Sequence, residues 1–132
     1  MLDVTRLESE VLQLLLSGDH PTLEILRRQT LSATVLRHVK SSAGFCVYFG
    51  HESGSKRVPS PSRFQLCDVV AEIKGLQHGA GFVLFVEDGL ISSLEGYSYG
   101  ETWPENLDHF KLDFISQQRE DLSILDEEQK EG

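Results

Sequence analysis

The sequence predicts an α+β protein, with an N-terminal helical hairpin packed on an antiparallel sheet of about five to six strands. Three observations predict it. Apolar residues recur at three- and four-residue steps up to about Leu31 and at every second position from Ala33 onward. The strand-like segments follow one another through short links instead of alternating with helices. Asp88-Gly89, set between two apolar runs, is a strong hairpin signal.

Val4, Leu7, Val11, Leu14 and Leu15 form the apolar stripe of a first helix, with Glu8 and Glu10 in its early turns, where the helix dipole favours acids. Ser17-Gly18 ends it, and Asp19 or His20 caps a second helix with Pro21 in its first turn. Leu23, Ile25 and Leu26 carry that helix to about Thr30. Val35, Arg37 and Val39 then alternate with Leu36 and His38. Phe45, Val47 and Phe49 alternate with Cys46 and Tyr48. Residues 51–63 read as a long loop, mobile or part of a binding surface. Leu66 to Lys74 is a third strand. Gly81 to Val86, apolar on both faces, is a central one. Leu90 to Tyr99 is its hairpin partner, and Phe110, Leu112 and Phe114 mark the last strand. One helical hairpin covers one face only, so a dimer packed through the other face would complete the sheet's cover.

The 132 residues suffice for a single domain, assigned to 1–116, followed by an acidic tail over 117–132 with six acids and two bases. The tail is expected to fray or to form a short helix around Leu122, Ile124 and Leu125. Twenty-one acids against twelve bases leave a net charge of −9, which repels phosphates and excludes nonspecific binding to nucleic acid or anionic membrane. No signal peptide is evident and no apolar run approaches the roughly 18 residues of a membrane span. Cys46 and Cys67 lie in apolar segments and read as buried free thiols, which places the protein in the cytoplasm.

Several motifs fail on their chemistry. Gly96-Tyr97-Ser98-Tyr99-Gly100 matches G-x-S-x-G, with His78-Gly79-Ala80-Gly81 upstream and Asp108-His109 downstream. A nucleophile elbow needs a helix after the serine, and Glu101-Thr102-Trp103-Pro104 starts none. Asp108 and His109 are neighbours and point to opposite faces of a strand. His20, His38, His51, His78 and His109 have no metal-ligand spacing and read as independent histidines. The glycines of 75–81 precede a strand and so form no phosphate cradle. Lys56, Arg57 and Arg63 read as solvated loop charges. No catalytic residue, metal or cofactor is assigned.

The informative segment is Leu94 to Pro104, with two tyrosines, the only tryptophan and two carboxylates in eleven residues. The segment reads either as a structural corner whose aromatics plug a sheet edge or as a contact surface, because Tyr and Trp present large contact areas at low entropic cost. In the second reading Glu95, Tyr97, Tyr99, Glu101 and Trp103 are the candidate binding residues. Glu95, a carboxylate in an apolar strand, must face water or pair with Arg37 or Lys74.

The stretch from Phe82 to Pro104 resembles the C-terminal segment of small proteins widespread in bacterial genomes, in which FVEDG…LEGYTYG…WP ends the sheet. The resemblance covers roughly the last third of the chain strongly and the helical start only in its general pattern. It implies a bacterial origin and that Glu95, Gly96, Tyr97, Tyr99, Trp103 and Pro104 act as a unit, and it supplies no activity.

The expected function is a non-enzymatic interaction protein whose acidic and aromatic surface takes a protein partner with a basic surface, as small proteins that neutralise basic nuclease-type toxins do. The alternative is a small enzyme or ligand-binding protein with a pocket at the Tyr97–Trp103 corner and Glu95 as its carboxylate.

Overall fold

Thr5 starts the first helix, α1 (Arg6–Leu15), through a reciprocal cap. Its hydroxyl accepts the Glu8 N–H at 3.2 Å, and the Glu8 carboxylate accepts the Thr5 N–H at 3.0 Å. His20 caps α2 (Pro21–Ser32): its Nδ1 accepts the Thr22 N–H at 3.1 Å, and Pro21 occupies the first turn, where no N–H is needed. Leu7, Val11, Leu12 and Leu15 of α1 and Leu23 and Leu26 of α2 are buried against the sheet. The computed structural model describes residues 2–116 together with Arg119 and Leu125.

Seven strands follow: β1 (Thr34–Ser41), β2 (Gly44–Gly50), β3 (Phe64–Leu66), β4 (Val69–Ile73), β5 (Ala80–Glu87), β6 (Leu90–Ser98) and β7 (Phe110–Phe114). All pairings are antiparallel, in the order β1-β2-β6-β5-β4-β7, with β3 also on β5. This is the predicted α+β architecture with one strand more. The single third strand of the sequence pattern is two, because Cys67-Asp68 interrupts it. Leu66 pairs with Leu84 but Val70 pairs with Gly81, a one-residue shift across the break.

Asp68 at that break is 5% exposed and receives Arg119 in two-point contact, Nε to Oδ2 at 2.6 Å and Nη2 to Oδ1 at 3.2 Å. The same guanidinium donates to the Leu15 and Ser17 carbonyls at the end of α1 and lies 4.4 Å from the Phe114 ring centre. Leu125 is helical and fully buried. Both residues belong to the stretch that composition assigns to a tail. Leu122 and Ile124 lie outside the described residues.

The 51–63 loop is tied down rather than loose. The buried Gln29 side chain donates to the Lys56 and Gly89 carbonyls and accepts the Ile91 N–H at 2.9 Å, while Val58 is buried and its N–H donates to Gly89 O. A polar residue inside α2 thus replaces missing strand partners.

The core lies between the helices and one face of the sheet, filled by Phe45 and Val47 of β2, Phe82 and Leu84 of β5 and Ile91 and Leu94 of β6. No helix among the described residues is long and apolar enough to cross a membrane.

Candidate functional site

The face of the sheet turned away from the helices carries Cys46 and Tyr48 of β2, Ser93, Glu95 and Tyr97 of β6, and Val83 and Phe85 of β5, as the alternation with the core residues requires. Register sets these in rows. Arg37, Tyr48, Ser93, Phe85 and Gln65 lie across one; Val39, Cys46, Glu95 and Val83 lie across the next. The Tyr97 and Tyr99 rings meet edge to face at 5.6 Å over Gly81, where a Cβ would collide with both hydroxyls. Only glycine lets the two phenols close over the sheet there.

Burial, followed by the neighbouring Tyr99, raises the Tyr97 phenol above its ordinary pKa, so it is a hydrogen-bond donor at neutral pH. Tyr48 already holds one cation, the Arg37 guanidinium 5.3 Å from its ring centre. Glu95 is exposed among these aromatics and forms no ion pair with Arg37, Lys74 or any other described residue. The expected partner is absent because Arg37 is held over Tyr48 in the next row. Cys46 and Cys67 are half-buried and form no disulfide, so they are not the fully buried thiols the sequence suggests.

Beside Tyr99 the same face sinks into a depression of about 900 Å³ bordered by Glu72, Lys74, Lys111 and Asp113. Gln77 and His78 line its end and are tied to Glu101. The Glu101 carboxylate accepts the Gln77 and His78 N–H groups at 2.7 and 2.9 Å, and these bonds hold it below the usual carboxylate range.

Trp103 lies on the other side of the sheet. Its N–H donates to Ser42 O at 2.7 Å, and its ring stands edge-on to Phe45 at 5.6 Å, among the core-facing residues. Gly96 also faces this side, under the Phe45 ring. The sheet therefore separates Glu95, Tyr97 and Tyr99 from Gly96 and Trp103, and no single pocket contains both Trp103 and Glu95. The acids that line the Trp103 cavity are the exposed Glu105 and the buried Glu8, whose Oε2 is 2.7 Å from Nε2 of His38.

His38 is thus not an independent histidine. A bulge at Leu36-Arg37 reverses the phase of β1, turning Val35 and His38 toward the helices and Leu36, Arg37 and Val39 to the open face. Strict alternation had set His38 with Leu36. The Thr5-x-x-Glu8 capping pattern was the one readable sign of this site.

The single hydroxyl hydrogen of Ser98 is shared between the Ala43 and Glu101 carbonyls, which latches the end of β6. Among the described residues no three His, Cys, Asp or Glu side chains gather where a metal ion could be held. No protein family matches the chain, and neither the curated proteins nor the solved structures yield a match.

Proposed function

We propose that this protein is a non-enzymatic interaction module, and that it receives a protein partner on the open face of its sheet. The observation that carries the reading is the concentration of exposed apolar surface there. Leu36, Tyr48, Tyr97 and Tyr99 account for four of the six large exposed apolar or aromatic side chains among the described residues. Leu36, left unpaired at the bulge, reaches this face over Gly50. Such a patch on one side of a sheet is a contact surface or an aggregation hazard.

The chemistry favours a basic partner. Glu95 stands without a counter-ion between tyrosines, and Arg37 over Tyr48 shows the same rings accepting a guanidinium. A net charge of −9 attracts a cationic protein over long range and steers its approach. The cytoplasm, where basic nucleases and nucleic-acid-binding proteins occur, suits such a use.

The test is capture from lysate with wild type, Glu95→Gln and the double variant Tyr97→Ala/Tyr99→Ala at low and high salt. A basic protein retained by wild type, lost by the double variant, weakened by Glu95→Gln and released by salt supports the reading. Retention by the double variant, or indifference to salt, overturns it. A second copy of the chain on the same face is told apart by the opposite salt dependence. Two chains of −9 repel, so self-association measured by light scattering would strengthen as salt rises.

A further inference from the structure

On the helix side of the sheet, α1, β1, β2 and the 103–107 segment enclose a cavity of about 460 Å³. From its lining we infer that it binds a small aromatic carboxylate, with the ring against Trp103 and Phe45 and the carboxylate on Lys40.

The volume lies within the range of small-molecule sites, about 300–1,000 Å³. The walls are aromatic and fixed. Trp103 is held by its backbone bond to Ser42 and by edge contact with Phe45, and His38 stacks on the other side of Phe45 with centroids 5.9 Å apart. Arg6 donates to Asp108 O at 2.7 Å and so ties α1 to the loop that carries Trp103.

Glu8 is the unusual part. A capping-box glutamate needs no burial, yet this one is 2% exposed. Its Oε1 accepts the Thr5 N–H and its Oε2 meets His38 Nε2. The 2.7 Å contact between Glu8 Oε2 and His38 Nε2 holds the imidazole in one orientation. With both oxygens engaged, the buried acid serves the cavity wall and is no counter-ion for a ligand.

The polar groups left for a ligand are mostly donors. Lys40 has no ion pair and Trp103 Nε1 no acceptor among the described residues, and the Thr5 hydroxyl hydrogen is also free to donate. Against them stands one exposed, unengaged acid at the rim, Glu105. A lysine and an indole N–H in the lining of one aromatic-walled cavity suit a ring that bears an acceptor anion. The net charge of −9 opposes anions at long range, so selection for a carboxylate would have to come from these short contacts.

The experiment compares 3-phenylpropanoate, its uncharged amide and 3-phenylpropylamine, three probes of matched shape. Trp103 is the only tryptophan, so its fluorescence reports the cavity, with calorimetry as the second readout. The carboxylate should saturate the signal and bind about tenfold tighter than the amide, one charge-assisted hydrogen bond's worth. Lys40→Met, at an exposed position that leaves folding intact, should bring the carboxylate down to the amide's affinity without altering the amide. Tyr97→Ala, on the opposite face, should change neither. The inference is overturned if the amine binds as tightly as the carboxylate, if none of the three saturates, or if Lys40→Met is without effect.

Discussion

Glu101, a candidate binding residue from the sequence, has a structural task of its own. Its carboxylate bridges the end of β6 to the 75–79 turn by accepting two successive N–H groups, which favour its ionised form. The folded-state pKa therefore lies below that of the unfolded chain, about 4.3 for a glutamate. Stability from Glu101 is fully present above the unfolded pKa and is lost as pH falls through the lowered folded one. Glu101→Gln should consequently lower the melting temperature near neutral pH, and the gap to wild type should close as the pH drops through the carboxylate range. A gap of constant size down to acid pH would show that the charge is not what holds the turn. From the sequence this residue is indistinguishable from Glu95, since both flank tyrosines in one eleven-residue segment. Only the backbone N–H groups of a turn more than twenty positions earlier separate the anchor from the exposed acid.

Between elements, the same segment is divided by the pleat. Odd positions 95, 97 and 99 face outward, while Gly96 faces the core and receives the Phe45 ring across the strand pair, with Phe82 opposite. Gly96→Ala would drive a methyl group into that ring, and no small rotation relieves it because Phe45 is packed against both Phe82 and Trp103. We expect a loss of about 1–3 kcal/mol in urea unfolding, the usual range for an overpacked core. An unchanged midpoint would mean that Phe45 can leave its position at no cost. The alternation of β2 and β5 was legible in the sequence because those strands keep strict period two, and that of β6 only from Ser93 onward, since a register shift opposite Phe85-Val86 brings Ile91 to the core beside Leu94. β1 was not, because the bulge at Leu36-Arg37 inserts a residue and exchanges the faces downstream, which is how His38 arrives beside Glu8. Bulges leave no composition signal of their own. The division of the third strand at Cys67-Asp68 escaped for the same reason.

At the scale of the whole molecule, residues far apart in sequence close the fold around one ion pair. Arg119 joins Asp68 at the β3–β4 break, the carbonyls ending α1, and the ring of Phe114 on the edge strand. The side chains of the pair are only 10% and 7% exposed, so solvent screens them little. Composition alone placed Arg119 in an acidic tail, because a lone arginine among acids gives no hint of a buried acceptor fifty-one residues earlier. Removing one member of such a pair leaves the other buried and uncompensated, which typically costs about 3–5 kcal/mol, whereas replacing both is often far milder. Arg119→Met should therefore destabilise by that amount in urea unfolding. Asp68→Leu alone should also be costly, because it leaves the guanidinium buried on neutral carbonyls. The double variant should recover part of the loss, giving a coupling of about 1–3 kcal/mol. Simple additivity of the two single losses, or an Arg119→Met variant as stable as wild type, would show that the C-terminal segment is not part of the cooperative fold. The pair lies on the helix side and the α1 end, away from Glu95, Tyr97 and Tyr99. Any partner bound to the open face should accordingly bind the double variant with unchanged affinity wherever that variant remains folded, which separates the closure of the fold from the surface it presents.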